Sequence, residues 1–351
     1  MIKPEAFAQK LLSWSQDIDR NLPWKLSKNA YHIWLSEIIL QQTRVEQGLP
    51  YYLRFISRYP TISEFAAAPE DDIFKLWEGL GYYSRARNMI RTAQEITRNY
   101  DGSFPEDINT LIQLPGIGPY TAAAIASFAF DKPHAVVDGN VIRVVARILG
   151  ISEPVQWPQT LASIKSFVDA AIPQNQAAAF NQAIMDFGAL HCTPKNPDCQ
   201  SCEFGDYCLA KTTETVPNIP LKLKNKPKKE RFFHYYLVFD PDKSFALVGK
   251  RGNSDIWKHL HELPLIETKD AQAPGLRDLN RFLPDKSFSD PVLLRICNQQ
   301  LTHQKINFHF YEITTCNWPK EGDYQPTSKS EIRNLAFPRT LREFMDSYFP
   351  E

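Results

Sequence analysis

The sequence predicts a multidomain fold, an all-α domain closed by a cysteine loop and followed by an α+β domain. Three observations carry this expectation. Apolar residues recur at helical spacing in the first half, as in Phe7, Leu11, Leu12 and Ile18 and again in Trp34, Leu35, Ile38 and Ile39. Four cysteines, Cys192, Cys199, Cys202 and Cys208, crowd into seventeen residues with spacing C-x6-C-x2-C-x5-C. Further on the pattern turns to strands. Residues 232–239 are aromatic and β-branched, and residues 305–311 alternate, with Ile306, Phe308 and Phe310 on one face. A chain of 351 residues is expected to hold about two domains. The bounds read 1–215 for the helical domain, with the cysteine loop at 192–208, then a linker at 216–230 and the α+β domain at 231–351.

The linker is marked by Pro217, Pro220 and Pro227 and by a basic run. Lys222, Lys224, Lys226, Lys228, Lys229 and Arg231 are opposed there only by Glu230. Such a run is ordinarily solvated, and it also suits contact with phosphates. Total charge gives no such hint, since 40 basic and 40 acidic residues cancel. The start, MIKPEAFAQK, lacks the basic-then-apolar pattern of a signal peptide. The most apolar stretch, Thr121 to Phe130, is too short to span a bilayer. A cytoplasmic protein with no membrane association is therefore expected. Cys297 and Cys316 lie in strand-like sequence and are expected as buried free thiols.

The residues between the four clustered cysteines, TPKNPD, QS and EFGDY, form a loop able to turn its sulfurs toward one centre. A [4Fe–4S] cluster and a structural zinc both remain open on spacing. Only one short C-x2-C pair is present, which favours the cluster, because zinc sites usually show two. Disulfides rank last for a chain of intracellular character.

LPGIGPYTAAAIASFAF, residues 114–130, predicts a tight helix–hairpin–helix. A short helix ends near Gln113, Gly116 and Gly118 supply backbone freedom, and Pro119 suits the first turn of a second helix. Free N–H groups at such a helix start bind a phosphate without reading sequence. The plainer reading is an ordinary Gly- and Pro-marked helix connection. Ala122, Ala123 and Ala126 allow the second helix to pack closely. Downstream, Asp138 falls between an apolar run and Gly139, where a helix begins. Alone it reads as an N-cap. Beside a phosphate-binding hairpin, it becomes a catalytic candidate.

The LPGIG hairpin, the VDGNV segment and the cysteine loop, in this order, resemble the helix–hairpin–helix DNA glycosylases of base excision repair that carry an iron–sulfur loop. The endonuclease III branch has a nucleophilic lysine two residues after the second hairpin glycine. Tyr120 stands there in this chain. The MutY-type adenine glycosylase branch is matched by LPW at 22–24, WLSEIILQQTRV at 34–45, GLGYYSRARN at 79–88 and NQAIMDFG at 181–188. LVGKRGNSDIWKHLHELP, residues 247–264, resembles that branch's Nudix-like domain.

The resemblance implies a monofunctional enzyme that removes adenine mispaired with 8-oxoguanine or guanine in double-stranded DNA. It strengthens the [4Fe–4S] reading. No segment resembles an oligomerisation element, so a monomer is expected, and the localisation expected is cytoplasmic and nucleoid-associated. Glu37 matches the acid that protonates adenine N7, and Asp138 the carboxylate that supports the cationic sugar, with Tyr120 and Asn140 as hydrogen-bonding support nearby. Gln41, Gln42 and Thr43 match the segment inserted at the lesion pair, and Tyr82 the aromatic wedge beside 8-oxoguanine. Trp24, Gln182 and Met185 match adenine-pocket positions. Lys25 follows Trp24 where some relatives have Arg. Thr302 and His303, in Leu301-Thr302-His303, sit where the family has a Phe-Ser-His lesion-reading loop. Gly116 and Gly118 would bind DNA phosphate, and Lys195 would face the backbone.

Nudix hydrolysis needs a glutamate-rich helix for Mg²⁺. Residues 260–290 contain only Glu262 and Glu267, so a recognition role without pyrophosphatase activity is expected. Two alternatives stand beside the leading one. A glycosylase/AP lyase for oxidised pyrimidines is opposed by Tyr120, and a silent damage-binding protein is opposed by Glu37 with Asp138.

Overall fold

The computed structural model describes residues 2–18, 22–223, 227–283, 288–319 and 322–348. Lys224 and Lys226 of the expected linker lie outside the described residues. The chain divides into two compact units, Met1–Ala67 with Asn88–Lys224, and Ala68–Arg87 with Asn225–Glu351.

The first unit is helical. Its elements are α1 (Pro4–Ser15), α2 (Ala30–Leu40), α3 (Val45–Arg58) and α4 (Ile62–Ala67). After α5 (Glu70–Trp77) and α6 (Ser84–Asn99) come α7 (Ile108–Gln113), α8 (Pro119–Phe130), α9 (Gly139–Leu149), α10 (Pro158–Ala171), α11 (Ala177–Leu190) and α12 (Leu209–Thr212). The division between the units falls inside α6, and α5 belongs to the second.

Each of three helices that frame the site has a physical start. Asn29 caps α2 by accepting from the Tyr31 amide at 2.9 Å. Pro119 opens α8, and Asp138 caps α9 through its side chain. Ala122, Ala123, Ala124 and Ala126 are buried, so α8 presents little side-chain bulk where it packs on α2. A second core joins α1, α9, α10 and α11. There Phe7 is fully buried against Phe204 from the cysteine loop, with ring centroids 5.0 Å apart. Truncating a buried Phe of this kind to Ala costs about 3–5 kcal/mol.

The second unit is built on a mixed sheet. Its strands are β1 (Lys229–Phe239), β2 (Phe245–Lys250), β3 (His261–Glu262), β4 (Leu265–Thr268), β5 (Val292–Gln300), β6 (Gln304–Thr314) and β7 (Tyr324–Ser328). The main order is β3-β2-β1-β6-β5, with β4 paired to β1 and β7 to β2. β1 and β6 run parallel, with Phe233 opposite Phe308 and Tyr235 opposite Phe310. Alternation puts Phe233, Tyr235, Leu237 and Phe239 on one face, with Ile306, Phe308 and Phe310 as expected. α13 (Lys329–Asn334) and α14 (Arg339–Tyr348) cover that face through Ile332, Leu341 and Phe344. Tyr236 and Val238 point the other way, toward Leu279 and Phe282. Thus β1 is buried on both faces, which is why it reads as a continuous apolar run.

Segment 68–87 packs with this sheet unit. Glu78 Oε1 accepts from Arg342 Nε at 3.0 Å and from the Phe337 amide at 2.9 Å, and Arg87 donates to the Lys258 carbonyl at 2.9 Å. These contacts join residues far apart in sequence, and no local pattern announces them.

One expectation is corrected. Cys316 is exposed in a bend after β6 and Cys297 is half-buried on β5, so neither is a fully buried thiol. Between residues 260 and 290 the described residues form β3, β4 and a short 3-10 helix, Leu276–Arg281, and both glutamates lie on the strands. Glu262 pairs with Arg251, and Glu267 pairs with Arg231 at 2.7 Å.

Candidate active site

A cavity of about 440 Å³ opens in the helical unit. It gathers eight of the expected residues, Trp24, Glu37, Thr43, Tyr120, Asp138, Asn140, Gln182 and Met185. Lys25 and Asp186 also line it.

Glu37 stands on α2, whose Trp34, Leu35, Ile38 and Ile39 are all buried. Its own surface opens onto the cavity. Burial pushes its carboxyl from 4.5 up to about 7. A hydrogen bond from the Tyr120 hydroxyl, 2.8 Å from Glu37 Oε2, pulls the other way, and the charge of Asp138 adds to the rise. Tyr120 was expected as hydrogen-bonding support near Asp138. Its hydroxyl bonds Glu37, and the charge of Asp138 also acts on it.

Asp138 is both things that the sequence allowed, the N-cap of α9 and a wall of the cavity. Its Oδ1 accepts from the amides of Asn140 and Val141, each at 2.8 Å. Its Oδ2 accepts from Asn140 Nδ2 at 2.8 Å. Burial raises its pKa from 3.8, while those three bonds and the nearby Arg143 oppose the rise. Donors aimed at a carboxylate favour its charged form. Both roles of Asp138 therefore use the same geometry, a capped helix start beside a cavity.

Arg143 escaped the sequence reading. From one turn along α9 it donates to Asn140 Oδ1 at 2.9 Å, the Gly188 carbonyl at 2.6 Å and the Cys192 carbonyl at 2.8 Å. Arg147, one turn further, donates to Cys192 Sγ at 3.4 Å and to the Thr193 carbonyl at 2.8 Å. The signal was present as two arginines, four residues apart, in an otherwise apolar helix. Lys25 and Asp186 were also underweighted. They form an ion pair at 2.6 Å in the cavity wall.

No disulfide joins the four clustered cysteines. All four line one small cavity with Arg147, Phe204 and Lys211. Burial pushes the Cys202 thiol up to about 11 and raises that of Cys208. Among the described residues no group of three or more His, Cys, Asp or Glu is placed to hold a single metal ion. Four cysteines that line one small cavity are a donor set that fits an iron–sulfur cluster, whose irons are held by cysteine thiolates. Lys195 is exposed on the same loop.

In the hairpin, α7 ends at Gln113 and α8 begins at Pro119, as expected. Gly116 has φ +75°, and an added Cβ would lie 2.6 Å from Asn88 Cβ. Gly118 differs from expectation, because its φ of −87° is ordinary. What is special there is space, since nothing would lie within 4 Å of its Cβ. Gln41, Gln42 and Thr43 break the chain between α2 and α3, with exposed Gln42 at φ +58°.

The remaining expected residues belong to the second unit. Tyr82 has φ +48° and is 47% exposed, and its hydroxyl is hydrogen-bonded to Thr302 Oγ1. His303 is exposed, and its carbonyl accepts from the Lys229 amide at 3.1 Å.

Residues 35–167, which contain Glu37, the hairpin and Asp138, match the HhH-GPD superfamily of base excision DNA repair proteins. The chain is 39% identical over 264 residues to an adenine DNA glycosylase of Buchnera aphidicola, covering 75% of this chain and 76% of that one. It is also 39% identical to the adenine DNA glycosylase of Rattus norvegicus, covering 98% of this chain and 78% of that one. Among solved structures, a thermostable thymine-DNA glycosylase aligns with a TM-score of 0.56 at 27% identity, over 60% of this chain and 97% of that one. An endonuclease III–DNA complex shares the fold at a TM-score of 0.53 and 22% identity, over 61% of this chain and 99% of that one. With the helical fold, the hairpin and a two-carboxylate cavity in place, the chain belongs to the family of adenine DNA glycosylases, hydrolytic enzymes of base excision repair.

Proposed function

We propose that this chain is a monofunctional glycosylase that removes adenine opposite 8-oxoguanine or guanine. One observation carries the reading. A carboxyl with a pKa near 7 and a carboxylate held by three donors face one cavity, and Tyr120 stands where a lyase would need lysine. Two carboxyl groups in unlike environments divide acid work from charge stabilisation.

The target adenine leaves the stack and enters the cavity between Trp24, Gln182 and Met185. Tyr120 engages Glu37 Oε2, so the carboxyl proton sits on Oε1 and passes to adenine N7. The N-glycosidic bond breaks with its electron pair going to the base. The Asp138 carboxylate then meets the cationic sugar, electrostatically or through a transient covalent bond, and Asn140 holds it in place. Water adds to the sugar carbon and gives up a proton to the Glu37 carboxylate, which restores the acid and leaves an abasic site with both strands intact.

Binding and lesion reading fall to other residues. The open backbone at Gly118 suits a phosphate, and Gly116 shapes the turn. Gln41, Gln42 and Thr43 enter the duplex at the mispair. Tyr82, joined to Thr302, stacks beside 8-oxoguanine with His303 near, and the sheet unit acts as a Nudix-like recognition domain. Cys192, Cys199, Cys202 and Cys208 would hold a [4Fe–4S] cluster, which when bound ties the loop together so that Lys195 meets the DNA backbone. The enzyme is expected to act as a monomer.

The test is base release from duplexes bearing 8-oxoguanine:A, G:A, 8-oxoguanine:C or thymine glycol:A. Adenine loss from the first two, with strand breaks only after alkali, is expected. Breaks at thymine glycol without alkali would overturn the reading in favour of a lyase.

A further inference from the structure

Gln182 and Asp186 stand four residues apart on α11, so they share one helix face. Both line the cavity. Gln182 Nε2 donates to Asp186 Oδ2 at 3.0 Å. Lys25 Nζ donates to the same oxygen at 2.6 Å, with side-chain exposures of only 13% for Lys25 and 8% for Asp186.

This arrangement decides which end of a carboxamide the cavity sees. An ionised carboxylate has no hydrogen to give, so an amide beside it must turn its NH2 group toward it. The Gln182 carbonyl oxygen is then the end left for another partner. Adenine carries an amine at position 6, which donates. Hypoxanthine and guanine carry a carbonyl there, which accepts. A site that presents an acceptor to position 6 binds the first and leaves a carbonyl facing a carbonyl in the others. Sites that hydrogen-bond a substrate group discriminate far better than sites that only fit its shape.

We propose that Asp186, ion-paired to Lys25, is a positioning residue for base selectivity: it orients the Gln182 carboxamide so that its oxygen accepts from the 6-amine of adenine and 6-oxo purines are refused. The proposal rests on the reading above that this cavity takes the extruded adenine. Lys25 pairs with the Asp186 carboxylate in the cavity wall and offsets its charge there. Asp186 acts on the base through Gln182.

The test uses the full chain and three duplexes with 8-oxoguanine opposite adenine, hypoxanthine or unsubstituted purine. Single-turnover release is measured against enzyme concentration, so that binding and chemistry separate. The quantity read is the adenine-to-hypoxanthine ratio. In Asp186→Asn the new amide can donate to the Gln182 oxygen and turn the Gln182 NH2 toward the base. The ratio should fall at least about tenfold, with the purine rate reporting the general loss. Lys25→Met leaves the carboxylate facing Gln182, so its ratio should stay within about twofold even where rates drop.

An unchanged ratio in Asp186→Asn, in protein whose thermal unfolding remains cooperative, would reduce Asp186 to a structural role and overturn the proposal. If that variant does not fold, Gln182→Met supplies the same comparison, and an unchanged ratio there also overturns it. Failure of the parent chain to release adenine from any duplex would instead sink the glycosylase reading on which the proposal stands.

Discussion

The Tyr120 hydroxyl donates to Glu37 Oε2 across 2.8 Å, joining α8 to α2 at the floor of the cavity. This bond holds one oxygen of the acid and leaves the other to carry the proton. It also works against burial, which by itself lifts the Glu37 carboxyl further.

The pH profile follows. Glu37 is raised to about 7, so the protonated form needed for catalysis is lost as pH climbs through that value. The single-turnover rate of base release should have an alkaline limb near pH 7. Tyr120→Phe removes an interaction that lowers the Glu37 pKa, so its limb should move to higher pH. A limb that stays in place would show that the hydroxyl does not set the acidity of Glu37. The acid limb belongs to Asp138, whose pKa is raised from 3.8, and should lie above that value.

Asp138 combines capping and chemistry, and substitution separates them. Asn is as good an N-cap as Asp, whereas Ala removes the cap at about 1 kcal/mol. Asp138→Asn should keep the parental unfolding temperature and lose base release. Asp138→Ala should lose both. Calorimetry and a release assay on the same samples would decide, and equal stability of the two variants would contradict the capping role.

The hairpin glycines should fail in different ways. Gly116→Ala places a side chain at φ +75° and 2.6 Å from Asn88 Cβ, so it should destabilise the fold by about 1–3 kcal/mol. Gly118→Ala meets no neighbour and adopts an ordinary φ. It should leave stability nearly unchanged and weaken binding to any duplex, whatever its sequence. Fluorescence anisotropy with matched and mispaired DNA would show whether the loss is uniform.

Tyr82 and Thr302 should act as one unit in lesion preference, because their hydroxyls are bonded. Tyr82→Phe and Thr302→Val should each reduce the preference for 8-oxoguanine over guanine opposite adenine. The double variant should lose little more than either single one. Additive losses in the mutant cycle would mean that the two residues act independently.

Much of this site was legible locally. The Gly116 turn, the start of α8 at Pro119 and the cap at Asp138 follow from residue types that restrict or free the backbone within a few positions. The cysteine loop was legible too, since the Pro-, Asn- and Gly-containing residues between its cysteines favour turns. What local pattern could not supply was partnership at long range. Tyr120 and Glu37 are 83 residues apart in sequence, and Tyr82 and Thr302 are 220 apart. The docking of segment 68–87 on the sheet unit has the same origin, a shared ion pair at Glu78. Cys316 misled because strand-like composition extended past the point where β6 ends at Thr314.

The central claim is that Glu37 supplies the proton that releases adenine. Glu37→Gln keeps the shape and an oxygen for the Tyr120 hydroxyl, but has no acidic proton. Base release from an 8-oxoguanine:A duplex should fall by about a hundredfold or more under single-turnover conditions, with duplex affinity nearly unchanged. Release at the parental rate by a folded Glu37→Gln protein would contradict the account.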